Sequence, residues 1–109
     1  MPPISACVIT LNEEDNIRRI LDSLVSFSEI IILDSGSIDN TLTIATTYKN
    51  VKIYTRPFDN YINQKNHCIS LSSNRWVISL DADERVSPSL KNGFNKEPFI
   101  KNIGHLFLQ

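Results

Sequence analysis

Apolar residues are grouped along this chain into short runs separated by polar segments. Residues 4–11, 29–33 and 76–80 are each mostly apolar, and a shorter segment, 51–55, is also rich in β-branched residues. Unbroken runs of this kind are typical of strands that are covered on both faces, as in parallel sheets. The pattern therefore predicts four strands, of which the three in the apolar runs are buried.

Between the first two strands the apolar spacing changes to that of a helix. Residues at i, i+3, i+4 and i+7 form one stripe that we expect to be buried, namely Ile17, Ile20, Leu21 and Leu24. Asn12 precedes this segment, and because its short side chain accepts hydrogen bonds from free backbone N–H groups, it is expected to be the N-cap.

Two further helices are predicted. The second follows a tight turn at Gly36, with Ser37 or Asp39 as its cap, and its inward residues are expected to be Leu42, Ala45 and Tyr48. The third covers residues 61–71, and its expected core residues are Ile62, Cys68 and Ile69. It leads into the fourth strand.

A strand followed by a helix, repeated three times before a fourth strand, predicts an α/β fold: a mostly parallel, Rossmann-like sheet flanked by helices. We expect residues 1–109 to form a single domain. The pattern leaves open how residues 89–109 pack. The apolar part of that segment, 97–109, is expected to pack on the sheet or on a partner, which includes self-association, and its secondary structure stays open.

Composition removes several classes of function. Eleven basic and twelve acidic side chains leave a net charge of -1, which gives no general electrostatic case for binding nucleic acid or an anionic membrane. Cys7 and Cys68 have neither metal-ligand nor paired spacing, so two buried free thiols are predicted. The N-terminus lacks the features of a signal peptide, and a cytoplasmic location is expected.

Candidate chemistry collects where the predicted strands end. Asp81 and Asp83 follow the fourth strand, Asp34 ends the second, and Glu13 lies just past the first. In open parallel sheets, ligands bind beyond the carboxyl ends of the strands. Paired carboxylates repel each other unless a cation lies between them, and Mg²⁺ is usually held by one or two carboxylates together with substrate phosphates. Lys65, on the third helix or its entry, adds a cation to this acidic crevice.

Each of these residues also has a plainer interpretation. The two aspartates after the fourth strand suit a solvated turn, and Glu13 suits a charge in the first turn of a helix. Asp34 suits a turn cap, and Lys65 a solvated helix charge. A phosphohydrolase with Asp81 as nucleophile is a remote alternative, because in such enzymes the Asp-x-Asp motif follows the first strand, whereas here it follows the fourth.

Four segments together resemble the family 2 inverting glycosyltransferases, and most closely the lipopolysaccharide and lipooligosaccharide core glucosyltransferases of Gram-negative bacteria. The resemblance covers residues 4–88 and depends on the order and spacing of Val8-Ile9-Thr10-Leu11-Asn12-Glu13-Glu14, Leu33-Asp34-Ser35-Gly36-Ser37-Ile38-Asp39-Asn40-Thr41, Gln64-Lys65-Asn66 and Ser79-Leu80-Asp81-Ala82-Asp83-Glu84. It implies a fold of the glycosyltransferase A type and a nucleotide-sugar donor, with uridine diphosphate glucose as the expected one.

The resemblance also implies roles for individual residues. It places Thr10, Leu11 and Glu13 in the nucleotide pocket, with Glu13 near the ribose or base. It implies that Asp34 hydrogen-bonds the base and that Lys65 approaches the nucleotide or diphosphate.

At the end of the fourth strand, Asp81 and Asp83 match the family's Asp-x-Asp motif. The resemblance implies that Asp83 is the catalytic residue nearest an Mn²⁺ or Mg²⁺ ion, and that this metal neutralises the leaving diphosphate.

Two departures from the family pattern matter. Asp34-Ser35 replaces a pair of acids often found there, as in the core-glucosyltransferase subgroup. In the family, the general base lies well beyond the Asp-x-Asp motif, whereas Glu97 is the only side-chain carboxylate here after Glu84. The chain is therefore expected to be a donor-binding half: a fragment, a truncated gene product or one piece of an assembly.

The expected acceptor is a lipopolysaccharide core sugar, reached from the cytoplasmic face of the inner membrane through peripheral association. The alternative is a catalytically incomplete module that binds nucleotide sugar and metal without turnover.

Overall fold

The computed structural model describes residues 3–81 and 105–108, with side-chain surroundings for residues 3–80. The predictions for Asp83 and for most of the segment 89–109 lie outside these residues.

One five-stranded sheet forms the centre of the molecule, with the strand order β3-β2-β1-β4-β5. Its four parallel strands are β1 (Ile4–Thr10), β2 (Glu29–Asp34), β3 (Val51–Thr55) and β4 (Trp76–Asp81). The edge strand β5 (His105–Leu108) runs antiparallel to β4. The mostly parallel sheet is thus confirmed, and residues 105–108 of the apolar tail pack on it as a strand.

Within residues 3–81, three helices cover the two faces of this sheet. They are α1 (Ile17–Ser23), α2 (Thr41–Ala45) and α3 (Tyr61–Ser70). The predicted apolar stripe of the first helical segment is fully buried. It packs with α2 against one face, while α3 covers the other through Cys68. None of the helices in the described part of the chain is long and apolar enough to cross a membrane.

The face under α3 contains both cysteines. Cys7 and Cys68 are fully buried and free, as predicted. The Cys7 thiol donates to the Cys68 carbonyl oxygen over 3.3 Å. Hydrogen bonding with the Cys68 side chain and burial raise the pKa of Cys7 far above its usual value. Both side chains therefore behave as small apolar core residues.

At the amino end of β2, Glu29 is a buried carboxylate, only 4% exposed. Its oxygens accept hydrogen bonds from the Ser5 hydroxyl (2.6 Å), the Ser73 N–H (2.6 Å) and hydroxyl (2.8 Å), and the Lys52 ammonium (2.9 Å). The network ties β1, β2, β3 and the turn before β4 together at the edge opposite the strand ends discussed below.

Asn12 does not cap α1, contrary to the prediction. The residue before the helix is Asn16, and the first turn begins at Glu13, whose carbonyl oxygen accepts the N–H groups of Asn16 and Ile17. Asn12 instead adopts a left-handed backbone with φ of 53°, which an asparagine tolerates better than most residues.

The second helix is also capped differently from the prediction, because its N-cap residue is Asn40. Asp39 still contributes, since its Oδ1 accepts the Thr41 N–H at 2.9 Å. In α3 the prediction for Ile62 is wrong, because that side chain is 72% exposed. The fully buried Gln64 faces inward instead, one turn before Cys68.

The chain order creates a crevice beside β1. From β1 the chain moves outward through β2 and β3. The helix α3 then carries it back across the sheet, so that β4 lies on the other side of β1. The strand order therefore reverses at β1. Such a reversal is called a topological switch point, and α/β proteins bind ligands in the crevice beside it.

Candidate functional site

A hydrogen bond between side chains joins the carboxyl ends of β1 and β2. Thr10 and Asp34 are partners in register, and the Thr10 hydroxyl donates to Asp34 Oδ1 over 2.6 Å. Asp34 is fully buried and also accepts from the Ser37 hydroxyl (2.5 Å), the Ser37 N–H (2.6 Å) and the Gly36 N–H (2.9 Å). Each carboxylate oxygen thus accepts two hydrogen bonds.

These contacts decide the charge state of Asp34. Burial alone would raise its pKa, but the hydrogen bonds from Ser37, Thr10 and the Gly36 N–H favour the carboxylate and bring the pKa below its ordinary value. A charged acceptor therefore shapes the turn after β2, in which Gly36 has φ of 110°.

The loops after β1 and β2 are clamped to each other. The Asn12 N–H donates to the Ser37 hydroxyl and Asn12 Oδ1 accepts the Ile38 N–H, both over 2.8 Å. Next to them, the Glu13 N–H donates to the Thr41 hydroxyl over 2.8 Å. The left-handed backbone of Asn12 is therefore used to lock both loops into a single rim.

An open cavity of about 240 Å³ lies against this rim. Its walls come from the end of β1, the first residue after β2, and the segment that enters α3: Ile9, Thr10, Leu11, Glu13, Ser35, Phe58 and Tyr61. Pockets for whole drug-sized ligands usually measure about 300–1,000 Å³, so this one suits one planar or compact part of a larger ligand.

Glu13 is half-buried at this cavity. Its Oε1 accepts a hydrogen bond from the Asn16 side-chain amide over 3.1 Å, while its main chain starts the turn before α1. Glu13 thus combines the helix-entry role of its plainer interpretation with a place in the cavity wall.

Lys65 lies beside the cavity without lining it. Its ammonium nitrogen is 5.5 Å from the centroid of the Tyr61 ring, one helical turn earlier on α3. A cation over an aromatic face is attracted by the ring's electron density. Because Tyr61 lines the cavity, this contact keeps a positive charge near its edge.

The segment between β3 and α3 is fixed by polar contacts. The Arg56 guanidinium pairs with the Asp59 carboxylate and donates to Gln64 Oε1 over 2.8 Å. Gln64 in turn donates to the Ser35 hydroxyl over 3.1 Å. The buried glutamine therefore connects α3 to the turn after β2.

Asp81 is the last residue of β4 and is the register partner of Ile9. Adjacent strands lie about 4.8 Å apart, so the backbone of Asp81 is one strand away from a residue that lines the cavity. Asp83 lies outside the described residues. Within 3–81 and 105–108 there is no group of three histidine, cysteine or acidic side chains that could hold a metal ion.

The structure therefore brings most of the predicted residues to one edge. Thr10, Leu11 and Glu13 share the cavity, and Asp34 lies next to it through Thr10. Sequence reasoning missed the wall residues Ser35 and Phe58, although both follow strand ends, and it missed Tyr61. Applying the strand-end rule to uncharged as well as charged residues would have found the first two.

Comparison with known proteins agrees with this architecture. The lipopolysaccharide core biosynthesis glycosyltransferase LpsC of Rhizobium meliloti is 34% identical over 93 residues, which cover 82% of this chain and 34% of LpsC. This chain spans about a third of the length of the curated relatives it matches.

Two solved structures share the fold. Staphylococcus aureus TarS 1–349, in complex with UDP-GlcNAc, has a TM-score of 0.74 and 25% identity, covering 85% of this chain and 30% of TarS. Glucosyl-3-phosphoglycerate synthase from Mycobacterium tuberculosis, in complex with Mn²⁺, uridine diphosphate and glucosyl-3-phosphoglycerate, has a TM-score of 0.66. That synthase is 24% identical, and the match covers 84% of this chain and 39% of it, which shows the fold alone.

The family assignment follows from sequence and fold together. The model of glycosyl transferase family 2 matches residues 5–95, which include all four motifs, and the sheet is that of the glycosyltransferase A type. This chain belongs to glycosyl transferase family 2.

Proposed function

We propose that residues 1–109 form the donor-binding domain of an inverting glycosyltransferase. The reaction proposed is transfer of a hexose, with glucose as the sugar, from its uridine diphosphate (UDP) conjugate to a lipopolysaccharide or lipooligosaccharide core acceptor. The observation that carries this proposal is the cavity at the end of β1, one strand away from Asp81, where the Asp-x-Asp motif begins.

In this proposal the nucleotide lies along the carboxyl edge of the sheet. Thr10, Leu11 and Glu13 form the nucleotide pocket, and Glu13 is near the ribose or base. Lys65, from its place over Tyr61, supplies positive charge toward the nucleotide or its diphosphate. The buried carboxylate of Asp34 supports this edge, and its proposed hydrogen bond to the base would exchange with one of the four it now accepts.

Mn²⁺ or Mg²⁺ is the proposed cofactor, held by Asp81 and Asp83. A site of two carboxylates completed by substrate phosphates matches the oxygen donors that these ions prefer, and it needs no third protein ligand. When bound, the metal would neutralise the charge that develops on the leaving diphosphate.

The acceptor is proposed from two sources, the resemblance to core glucosyltransferases and the similarity to LpsC. Such an acceptor is membrane-borne, so we propose a cytoplasmic protein associated peripherally with the inner membrane. Inverting transfer needs a base that takes the acceptor's proton, typically worth about 10² to 10⁴ in rate. A second candidate, a nucleotide-sugar and metal-binding module without turnover, is supported by the same cavity and strand-end acids, because each role proposed for them is one of binding.

Calorimetric titration of UDP, with and without Mn²⁺, tests what both candidates share. We expect affinity that depends on the metal, and its absence would reject both. Transfer from UDP-glucose to a purified lipooligosaccharide acceptor then separates them. This chain alone is expected to show negligible transfer, and a robust rate would mean that it carries its own base.

A further inference from the structure

Two aromatic side chains form one wall of the cavity. Phe58 lies in the loop after β3 and Tyr61 is the first residue of α3, and their ring centroids are 5.8 Å apart with planes at 82°. Such an edge-to-face arrangement is favourable for aromatic rings. Both side chains nevertheless remain about half exposed, at 50% and 53%, and both line the cavity.

The backbone that carries these rings is fixed before any ligand arrives. The ion pair between Arg56 and Asp59 spans Phe58 in the sequence. Just after it, the Asn60 side chain caps α3 by accepting the Asn63 N–H over 2.8 Å. A wall that is already ordered loses little conformational entropy when a ligand binds, so more of the contact energy appears as affinity.

The aromatic wall and Asp81, the first residue of the Asp-x-Asp motif, lie on opposite sides of β1. The cavity is lined from β1, from the residue after β2 and from the β3–α3 segment, whereas Asp81 ends β4 on the other side of β1. A diphosphate and sugar near that motif leave the base as the part of the donor nearest the rings. The walls Ile9, Leu11, Phe58 and Tyr61 are apolar or aromatic, which suits a flat base better than a ring of hydroxyls.

We infer that Phe58 and Tyr61 form the stacking platform for the nucleotide base, an inference that rests on the proposed nucleotide-binding function. Tyr61 has a second task, since Lys65 lies over its ring. Phe58 is therefore the cleaner position to test. Base stacking on aromatic side chains is sequence-tolerant, so the platform contributes affinity and leaves the identity of the base to polar groups such as Ser35.

The test compares UDP with pyrophosphate, a probe that lacks the base, by calorimetry on the whole chain in the presence of Mn²⁺. Phe58→Leu removes the ring but keeps an apolar side chain, and it should weaken UDP binding about 5- to 150-fold while pyrophosphate binds as before. Phe58→Tyr keeps a ring and should bind UDP as the wild type does. Ile62→Leu, at an exposed position outside the cavity wall, is the matched control.

Each other outcome has its own meaning. If Phe58→Leu binds UDP normally, or loses both ligands equally, the platform is overturned and the proposed function stands. If it weakens UDP-glucose but not UDP, the rings contact the sugar and the inference is wrong. If the wild type binds neither UDP nor pyrophosphate, the proposed function fails and this inference fails with it.

Discussion

The Thr10 hydroxyl lies 2.6 Å from Asp34 Oδ1, across the ends of two neighbouring parallel strands. Together with three hydrogen bonds from the following turn, this bond occupies all four lone-pair sites of the carboxylate. Asp34 thereby holds the turn that presents Ser35 to the cavity. Its predicted contact with the base stays a prediction.

Replacing Asp34 should therefore cost stability. In Asp34→Asn one carboxylate oxygen becomes an NH₂ group, which cannot accept, so two buried donors lose their partner. We expect a loss of about 2–4 kcal/mol in the free energy of unfolding, measured by urea denaturation. The exposed Asp15→Asn is the control and should stay within about 0.5 kcal/mol of the wild type. An equally small effect of Asp34→Asn would contradict the role assigned to the carboxylate.

Asn12 offers a test of the clamp between the two loops. Both Asn12→Ala and Asn12→Gly remove the acceptor for the Ile38 N–H, but only alanine also strains the left-handed backbone. The free energy of unfolding of Asn12→Ala should therefore be about 1 kcal/mol lower than that of Asn12→Gly, as measured by chemical denaturation. Equal stabilities of these two variants would show that the left-handed conformation is not required.

Most of the fold was predictable because it depends on patterns that local sequence encodes. The apolar residues of α1 have helical spacing, and the unbroken apolar runs of β1, β2 and β4 are buried on both faces, so both patterns could be recognised without knowing what packs against them. The bounds of β3 were predicted from its β-branched residues, although this strand is only partly buried.

What could not be predicted depends on contacts between distant segments. Gln64 is buried because Ser35 and Arg56 supply its hydrogen bonds, and this leaves Ile62 in solvent. Asn12 is a residue type favoured at N-caps, yet its side chain accepts the N–H of Ile38, which lies 26 positions later in the next loop. Charged residues at strand ends were visible in the sequence, but the wall residue Tyr61, the first residue of α3, needed the geometry of the cavity.

The buried Glu29 carboxylate makes stability depend on acidity. Burial opposes its charge, but hydrogen bonds from Ser5, Ser73 and Lys52 dominate and lower its pKa from 4.5 to about 2. As the pH falls, the Glu29 carboxylate takes up a proton in the unfolded chain before it does so in the folded protein. The stabilisation is therefore complete above pH 4.5 and is lost as the pH falls through about 2.

This stabilisation is worth at most about 3 kcal/mol. Urea denaturation at a series of pH values gives the free energy of unfolding as a function of pH. Between pH 4.5 and 2 this free energy should change less steeply with pH for Glu29→Gln than for the wild type. Unchanged slopes in the variant would mean that other carboxylates account for the acid sensitivity.

Asp83 is the position where chemistry and fold should separate. Asp83→Asn is expected to abolish metal-dependent UDP binding, because the amide loses the charge that holds the cation, with little change in the unfolding midpoint. The neighbouring Glu84→Gln is the matched control and should keep metal-dependent binding. Unfolding of Asp83→Asn would instead make this carboxylate structural.

The central claim is that donor nucleotide and metal share the carboxyl edge around β1. A crystal structure of the chain soaked with UDP and Mn²⁺ tests it most directly. We predict the base in the cavity beside Thr10, Leu11 and Ser35, and the ion at the end of β4 between the diphosphate and the Asp-x-Asp carboxylates. Nucleotide density at the opposite edge, near Glu29, or a metal bound away from β4, would contradict the account.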